Sequence, residues 1–305
     1  MIIRIATRKS DLAVWQAEFV AAMLQDLPQV STVELVLLST RGDEILDRSL
    51  QAIGGKGLFI KELEVAMMEG RADIAVHSMK DVPAELPEGF CIAAVLERAN
   101  PFDALVSGPV GSLADLPEGA RVGSSSLRRQ SQLLALRPDL RVEPVRGNVN
   151  TRLAKLDDGQ FDAIMLACAG LERLGMADRI SSQLSPHEML PASAQGVIGI
   201  ECRLERDDLR ELLLQTEHAK TKQTTLAERA VTERLEATCH SPLASYATIN
   251  SDILTLQSLA ANADGSTIIR EEIQGAPTEG AALGLELGER MLALGAAALL
   301  GVTPQ

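Results

Sequence analysis

The sequence predicts an α/β protein with two successive strand–helix modules and a smaller α+β module at its C-terminal end. Three observations carry this prediction. Short apolar runs alternate with helical periodicity as far as Asn100-Pro101, and the same rhythm restarts after that pair. Beyond about Lys220 it gives way to closely spaced strand candidates and an Ala/Leu-rich helix.

In chain order, Ile2–Thr7 reads as a strand. Ser10, a favoured N-cap, precedes Leu12, Trp15, Phe19, Met23 and Leu27 at helical spacing. Val33–Leu38 is a second apolar strand, the segment from Leu58 to Glu69 a helix, and Ile74–Val76 a short buried strand followed by Pro83. This rhythm predicts a mainly parallel sheet with helices on both faces. In the second module, strands at Ala104–Ser107, Arg121–Gly123, Val142–Val145 and Ala163–Leu166 alternate with helices starting near Leu127, Thr151 and Leu171. A strand at Val197–Glu201 is expected to return to the first sheet, giving the two connections that a hinged cleft requires. In the last module, Thr225 and Glu228 have capping-box spacing for a helix running to Leu235. Strands at Leu243–Ile249, Ile253–Ala260 and Ser266–Glu272 follow, with an Asp264-Gly265 turn, and a long helix from about Ala281 closes the chain. The expected domains are 1–99 with a return segment 195–217, then 100–194, then 218–305.

Composition excludes several functions. The 305 residues carry 29 Lys+Arg against 42 Asp+Glu, a net charge of −13, and only 2% aromatics. Such a chain is poorly equipped to follow a phosphate backbone or stack bases, so nucleic acid is not an expected partner. Arg4, Arg8, Lys9 and Asp11 interrupt the start, unlike the apolar core of a signal peptide. The longest apolar stretch, Met291 to Val302, is well short of the roughly 20 residues that span a bilayer. Cys91, Cys168, Cys202 and Cys239 form no CxxC pair, and the four histidines are scattered, so neither a metal site nor a disulfide framework is expected. A cytoplasmic protein is the expectation.

The chemistry concentrates in three places. From Arg121 to Arg152 there are seven arginines and two acids, a local balance of +5 in an acidic chain. Two clusters, Gly123-Ser124-Ser125-Ser126-Leu127-Arg128-Arg129 and Arg146-Gly147-Asn148-Val149-Asn150-Thr151-Arg152, follow strand ends. Backbone N–H groups at a helix start and arginine forks there suit an anion. The plainer reading of each arginine is a surface ion pair. No GxxxxGK[ST] or GxGxxG occurs, so carboxylate ligands are at least as well matched as phosphates.

The second place is His77-Ser78-Met79-Lys80-Asp81-Val82-Pro83, directly after a buried strand. Its Asp81 is either the salt-bridge partner of a lysine or a buried acid/base or charge-stabilising group. Gly54-Gly55-Lys56-Gly57 reads as a pliant loop whose lysine could approach an anion. The third place is Ala237-Thr238-Cys239-His240-Ser241-Pro242, where a loop thiol beside a histidine is an incidental cysteine, a nucleophile or a covalent anchor. The sequence shows no third group to orient such a pair.

These runs, with Ile5-Ala6-Thr7-Arg8, Thr40-Arg41-Gly42-Asp43, Gln195-Gly196 and Gly199-Ile200-Glu201-Cys202-Arg203, resemble the porphobilinogen deaminase (hydroxymethylbilane synthase) family. The resemblance extends from about residue 2 to the final helix. It implies two domains like a type II periplasmic binding protein flanking a cleft, plus a small C-terminal α+β domain. It implies a cytoplasmic, usually monomeric transferase that condenses four porphobilinogen molecules head to tail with loss of ammonia. It implies a dipyrromethane cofactor held by a thioether at Cys239, and Asp81 as the catalytic carboxylate. Ser78, Lys80, Ser126, Arg128, Arg129 and Arg146 match cofactor-binding positions, and Arg8, Lys56, Arg152, Arg173 and Gln195 substrate-binding ones. Three departures stand out: Ala237-Thr238 where Gly-Gly commonly precedes the cysteine, Asn150 where glycine is frequent, and Ser193-Ala194 in place of Val-Gly. The rival from another class is a non-catalytic carboxylate-binding sensor, since a clefted fold serves that role too.

Overall fold

The computed structural model describes residues 1–40, 60–108 and 110–301. They fall into two compact units, one of residues 1–98 with 197–222 and one of residues 99–196 with 223–301.

In the first unit, β1 (Ile2–Arg8), β2 (Thr32–Leu38), β3 (Ile74–Ser78), β4 (Phe90–Val95) and β10 (Ile198–Arg203) form one sheet in the order β2-β1-β3-β10-β4. β1 is parallel to β2 and β3, whereas β10 is antiparallel to both its neighbours. The returning segment therefore does join the first sheet, wedged between two strands rather than added at an edge. Side chains alternate across this sheet with the period of two that strands impose. Ile3, Ile5, Ile74 and Val76 pack with Val20 and Leu24 of the helix Asp11–Gln25, and Ala6 and Ala75 with Leu63 and Met67 of the helix Lys61–Met68. Ser10 is the N-cap residue of the first helix by position, but its side chain makes no capping hydrogen bond.

The second unit repeats this plan. β5 (Asp103–Ser107), β6 (Arg121–Gly123), β7 (Arg141–Glu143), β8 (Ala163–Ala167) and β9 (Ser182–Gln183) lie in the order β7-β6-β8-β5-β9. β6 is parallel to β7 and β8, and β5 runs against both neighbours. In each sheet the reversed strand is the one the chain forms just after crossing from the other. Leu105, Val122, Met165 and Leu133 fill one side of this sheet, and Ala104, Val106, Ile164, Leu153 and Leu171 the other.

The C-terminal part of the second unit is an antiparallel meander of β11 (Leu243–Asn250), β12 (Ile253–Ala261) and β13 (Ile268–Gly275). It is backed by the helices Ala219–Arg234 and Gly280–Ala293. Glycines four residues apart let these helices approach closely: a Cβ on Gly284 would lie 2.3 Å from the Ala227 carbonyl oxygen, and one on Gly280 would lie 2.9 Å from that of Gln223. Two expectations need correction here. The helix starts at Ala219, so Thr225 and Glu228 are interior and form no capping box; Glu228 instead accepts the N–H groups of Ala194 (2.6 Å) and Ala247 (2.7 Å). The final helix is broken by Gly295, at φ +96°, before a short helix at Ala296–Leu300. Among the described residues, no helix is long and apolar enough to cross a membrane.

Candidate functional site

In the first unit the Ser78–Asp81 segment leaves the buried strand β3 as one turn of 3-10 helix, Met79–Asp81. Three contacts fix that turn. The Met79 N–H donates to the Val197 carbonyl at 2.9 Å. The Met79 side chain fills the space beside Gly199, where an added Cβ would stand 2.1 Å from its sulfur. The buried Gln16 amide donates to Ser78 Oγ at 2.8 Å. The turn thereby presents Lys80 half-buried and Asp81 exposed. Of the two readings of Asp81, the one that sets its chemistry by burial is not met: the side chain is open to solvent because the turn carries the chain off the end of the sheet. Arg8 ends β1, the strand beside β3.

Beneath this turn lies a cluster that sequence reasoning missed. His77 Nε2 is 2.7 Å from Glu201 Oε2, and both side chains are buried. The other Glu201 oxygen, Oε1, has no hydrogen-bond partner. Burial, reinforced by the charge of Glu201, pushes the nearby Glu64 carboxyl up to about 7. Adjacent register on β3 and β10 places His77 opposite Gly199 and Glu201 opposite Ala75.

In the second unit both arginine clusters sit where a β-strand gives way to a helix. Ser126 is the N-cap of the helix Leu127–Leu136, accepting the Arg129 N–H at 3.5 Å. Asn148 caps the helix Val149–Asp157, accepting from the Thr151 N–H and hydroxyl at 2.9 Å each. Ser125 Oγ donates to the Val145 carbonyl at 2.8 Å, which ties the two loops together. Gly147, at φ +107°, makes the turn between Arg146 and Asn148 within the second loop. Arg146 and Arg152 are half-buried there, and Arg152 Nε holds the Gly147 carbonyl at 2.8 Å. Asn150 is an ordinary exposed helical residue, so a glycine is not required at that position.

Arg128 and Arg129 are arranged differently from the surface-pair reading. They are 4% and 6% exposed, and both guanidinium groups grip the fully buried Asp103. Gln195 joins them, donating to Asp103 Oδ1 at 3.1 Å and to the Pro101 carbonyl at 2.7 Å. Burial alone would raise the Asp103 carboxyl, but the two adjacent cations overcome it and hold the group well below the usual carboxylate range. Two guanidinium groups against one carboxylate leave a formal charge of +1. The only sequence signal for Asp103 is an acid at the start of an apolar strand. Arg173 donates to the Gly196 carbonyl at 2.8 Å, and burial lowers its pKa to about 10.

The Cys239 loop closes on itself. Thr238 N–H donates to Ser241 Oγ (3.0 Å), His240 N–H to Thr238 Oγ1 (3.3 Å), and Ser241 N–H to the Thr238 carbonyl (2.9 Å). Neither Ala237 nor Thr238 has a positive φ; Glu236, at φ +49°, makes the bend instead. The loop therefore does without the Gly-Gly pair, and the Thr238 hydroxyl adds a bond that glycine could not. Burial pushes the Cys168 and Cys202 thiols up to about 12, whereas Cys239 is exposed, with Sγ 3.3 Å from His240 Nδ1. Burial, and then the charge of Arg146, lowers the pKa of the His240 imidazole. The structure thus gathers Ser126, Arg128, Arg129, Arg146, Arg152, Arg173, Gln195 and Cys239 in the second unit, and Arg8, Ser78, Lys80 and Asp81 in the first. Lys56 lies outside the described residues. Among the described residues no group of three or more potential metal ligands occurs.

Two family models match the chain. One, described as porphobilinogen deaminase, dipyromethane cofactor binding domain, matches residues 3–211. The other, described as porphobilinogen deaminase, C-terminal domain, matches residues 222–293. Solved structures with similar architecture include the methionine binding protein MetQ, at 14% identity and TM-score 0.46 over 73% of this chain and 90% of that one. A putative methionine-binding lipoprotein from Bacillus subtilis has 13% identity and TM-score 0.45 over 71% and 90%. The VFT2 domain of BvgS from Bordetella pertussis has 16% identity and TM-score 0.43 over 70% and 86%.

Proposed function

The chain belongs to the porphobilinogen deaminase family, and from that premise we propose how its own residues divide the work. The family activity is that of a transferase, hydroxymethylbilane synthase, which joins four porphobilinogen molecules head to tail with release of ammonia on a dipyrromethane cofactor. The match of both family models, together running from residue 3 to residue 293, carries this conclusion. When bound, the cofactor supplies the primer to which monomers are joined.

Cys239 is the anchor. The residues around it suit a thioether-linked group bearing carboxylates: an exposed thiol, a loop fixed by Thr238 and Ser241, and the cation Arg146 within electrostatic reach. Arg146, Ser126, Arg128, Arg129, Ser78 and Lys80 hold the cofactor's acetate and propionate arms, and Arg8, Lys56, Arg152, Arg173 and Gln195 those of incoming substrate. Planar guanidinium forks match carboxylates in pairs, and a polyacid needs many such partners. Arg128 and Arg129 act here as a pre-ordered cationic pair, since Asp103 already fixes their geometry. Asp81 assists departure of the amine and stabilises positive charge on the pyrrole N–H. Its exposed position on a rigid turn supports a role toward a ligand rather than in the core. The functional division is threefold, 1–99 with 195–217, then 100–194, then 218–305, in a cytoplasmic monomer.

Intact-mass measurement tests the anchoring. The purified protein should exceed its sequence mass by one dipyrromethane and react with Ehrlich's reagent, and Cys239→Ser should abolish both. A fully active protein at its plain sequence mass would overturn the reading.

A further inference from the structure

His240 is next to Cys239 in sequence, and the loop turns both side chains together. Sγ and Nδ1 are 3.3 Å apart, within the range of a thiol hydrogen bond to an imidazole nitrogen. The Thr238–Ser241 hydrogen bonds hold this arrangement independently of any bound group. We propose that His240 is the proton acceptor for thioether formation at Cys239, the step by which the protein acquires its cofactor. This rests on the reading of Cys239 as the anchor.

Two features suit the imidazole to that task. Burial, and then the positive charge of Arg146, hold its pKa below the ordinary value, so it is neutral and basic near pH 7. The imidazole faces Cys239 on its own loop, and the charge of Arg146, on the loop before the helix Val149–Asp157, acts on it.

The step balances without an oxidant. The S–H bond breaks and its proton passes to Nδ1. The sulfur pair forms a C–S bond to the exocyclic methylene carbon of a pyrrole that has lost ammonia. The displaced π pair moves to the ring nitrogen, which takes a proton from water as the imidazolium returns one. The net change is thiol plus aminomethylpyrrole to thioether plus ammonia.

The test uses the full chain produced in cells unable to make porphobilinogen, so that Cys239 begins as a thiol. Porphobilinogen is added and the mass increase is followed with time for the parent protein and His240→Gln. In parallel, alkylation of Cys239 by iodoacetamide is followed against pH by peptide mass. At pH 7 both rates should fall on the order of 10²-fold in the variant, as loss of a general base predicts. At about pH 9, where a thiol ionises unaided, both should return to near the parent values. Equal rates at pH 7, or a deficit that persists at high pH, would overturn the proposal, because the first denies the proton transfer and the second indicates a structural role. A parent protein that never gains mass would instead remove the anchoring assignment, while the alkylation profile still judges His240.

Discussion

Asp103 and Arg128 form a bidentate ion pair in the interior of the second unit, with N···O distances of 2.7 and 3.2 Å. Arg129 adds bonds of 2.7 and 2.9 Å to the Oδ1 of the same carboxylate. Removing the carboxylate would leave two buried cations without a counter-ion. Asp103→Asn should therefore lower stability by about 3–5 kcal/mol, the usual cost of breaking a buried pair from one side. Urea denaturation measures this, and a loss under about 1 kcal/mol would show that the cations find other partners. The pH dependence has a definite sign. The folded-state pKa is depressed, so the contribution of Asp103 is present above the ordinary carboxylate value and is lost as the pH falls below it. The variant should lack that part of the acid-induced loss.

Asp81 is exposed on its turn, and its substitution removes little packing. Asp81→Ala should reduce hydroxymethylbilane formation by at least about 10²-fold, the scale of a lost acid/base or charge-stabilising group. Its urea midpoint should stay close to that of the parent, as for surface changes of roughly ±0.5 kcal/mol. Near-normal turnover would transfer the catalytic role to another residue.

What the sequence revealed and what it hid have physical causes. The cores of β1, β3, β6 and β8 were legible because buried strands are short apolar runs, and the arginine loops because they follow such runs directly. The fate of Arg128 and Arg129 was not legible, since Asp103 lies 25 and 26 residues away and nothing local signals the pairing. The helix Ala219–Arg234 was misjudged at its start because Lys220-Thr221-Lys222-Gln223-Thr224 has neither apolar periodicity nor strong helix propensity throughout. Thr225 and Glu228 then imitated a cap, although Glu228 is a buried acceptor for backbone from Ala194 and Ala247. Lone spacing motifs cannot reveal such tertiary bonds.

Glu64 provides a second pH signature, opposite in sign to that of Asp103. Burial, and then the charge of Glu201, raise its pKa from 4.5 to about 7, with His77 and Lys61 acting in the other direction. A carboxyl raised in the folded state contributes stability that is fully present below the unfolded value and is lost as pH rises through the folded value. The parent protein should lose stability as pH rises from 4.5 through about 7, and Glu64→Gln should remove that slope. Denaturation midpoints across this range measure the difference. Parallel curves for the two proteins would mean that Glu64 ionises without a penalty in the folded state.

The helix pair behind the C-terminal sheet offers a test in which the sign alone decides. Replacing glycine by alanine inside a helix ordinarily stabilises by roughly 0.5–1 kcal/mol, because the backbone loses less freedom on folding. At Gly284 the added Cβ would lie 2.3 Å from the Ala227 carbonyl oxygen and 2.7 Å from the Ala230 Cβ. Backbone blocks the new atom on one side, so the two helices must separate or shift. Overpacking of this kind costs about 1–3 kcal/mol and outweighs the gain in propensity. Gly284→Ala should therefore lower the melting temperature, against the trend for helical glycines. A rise would mean that the helices Ala219–Arg234 and Gly280–Ala293 can move apart freely, and that their close approach is not required by the fold.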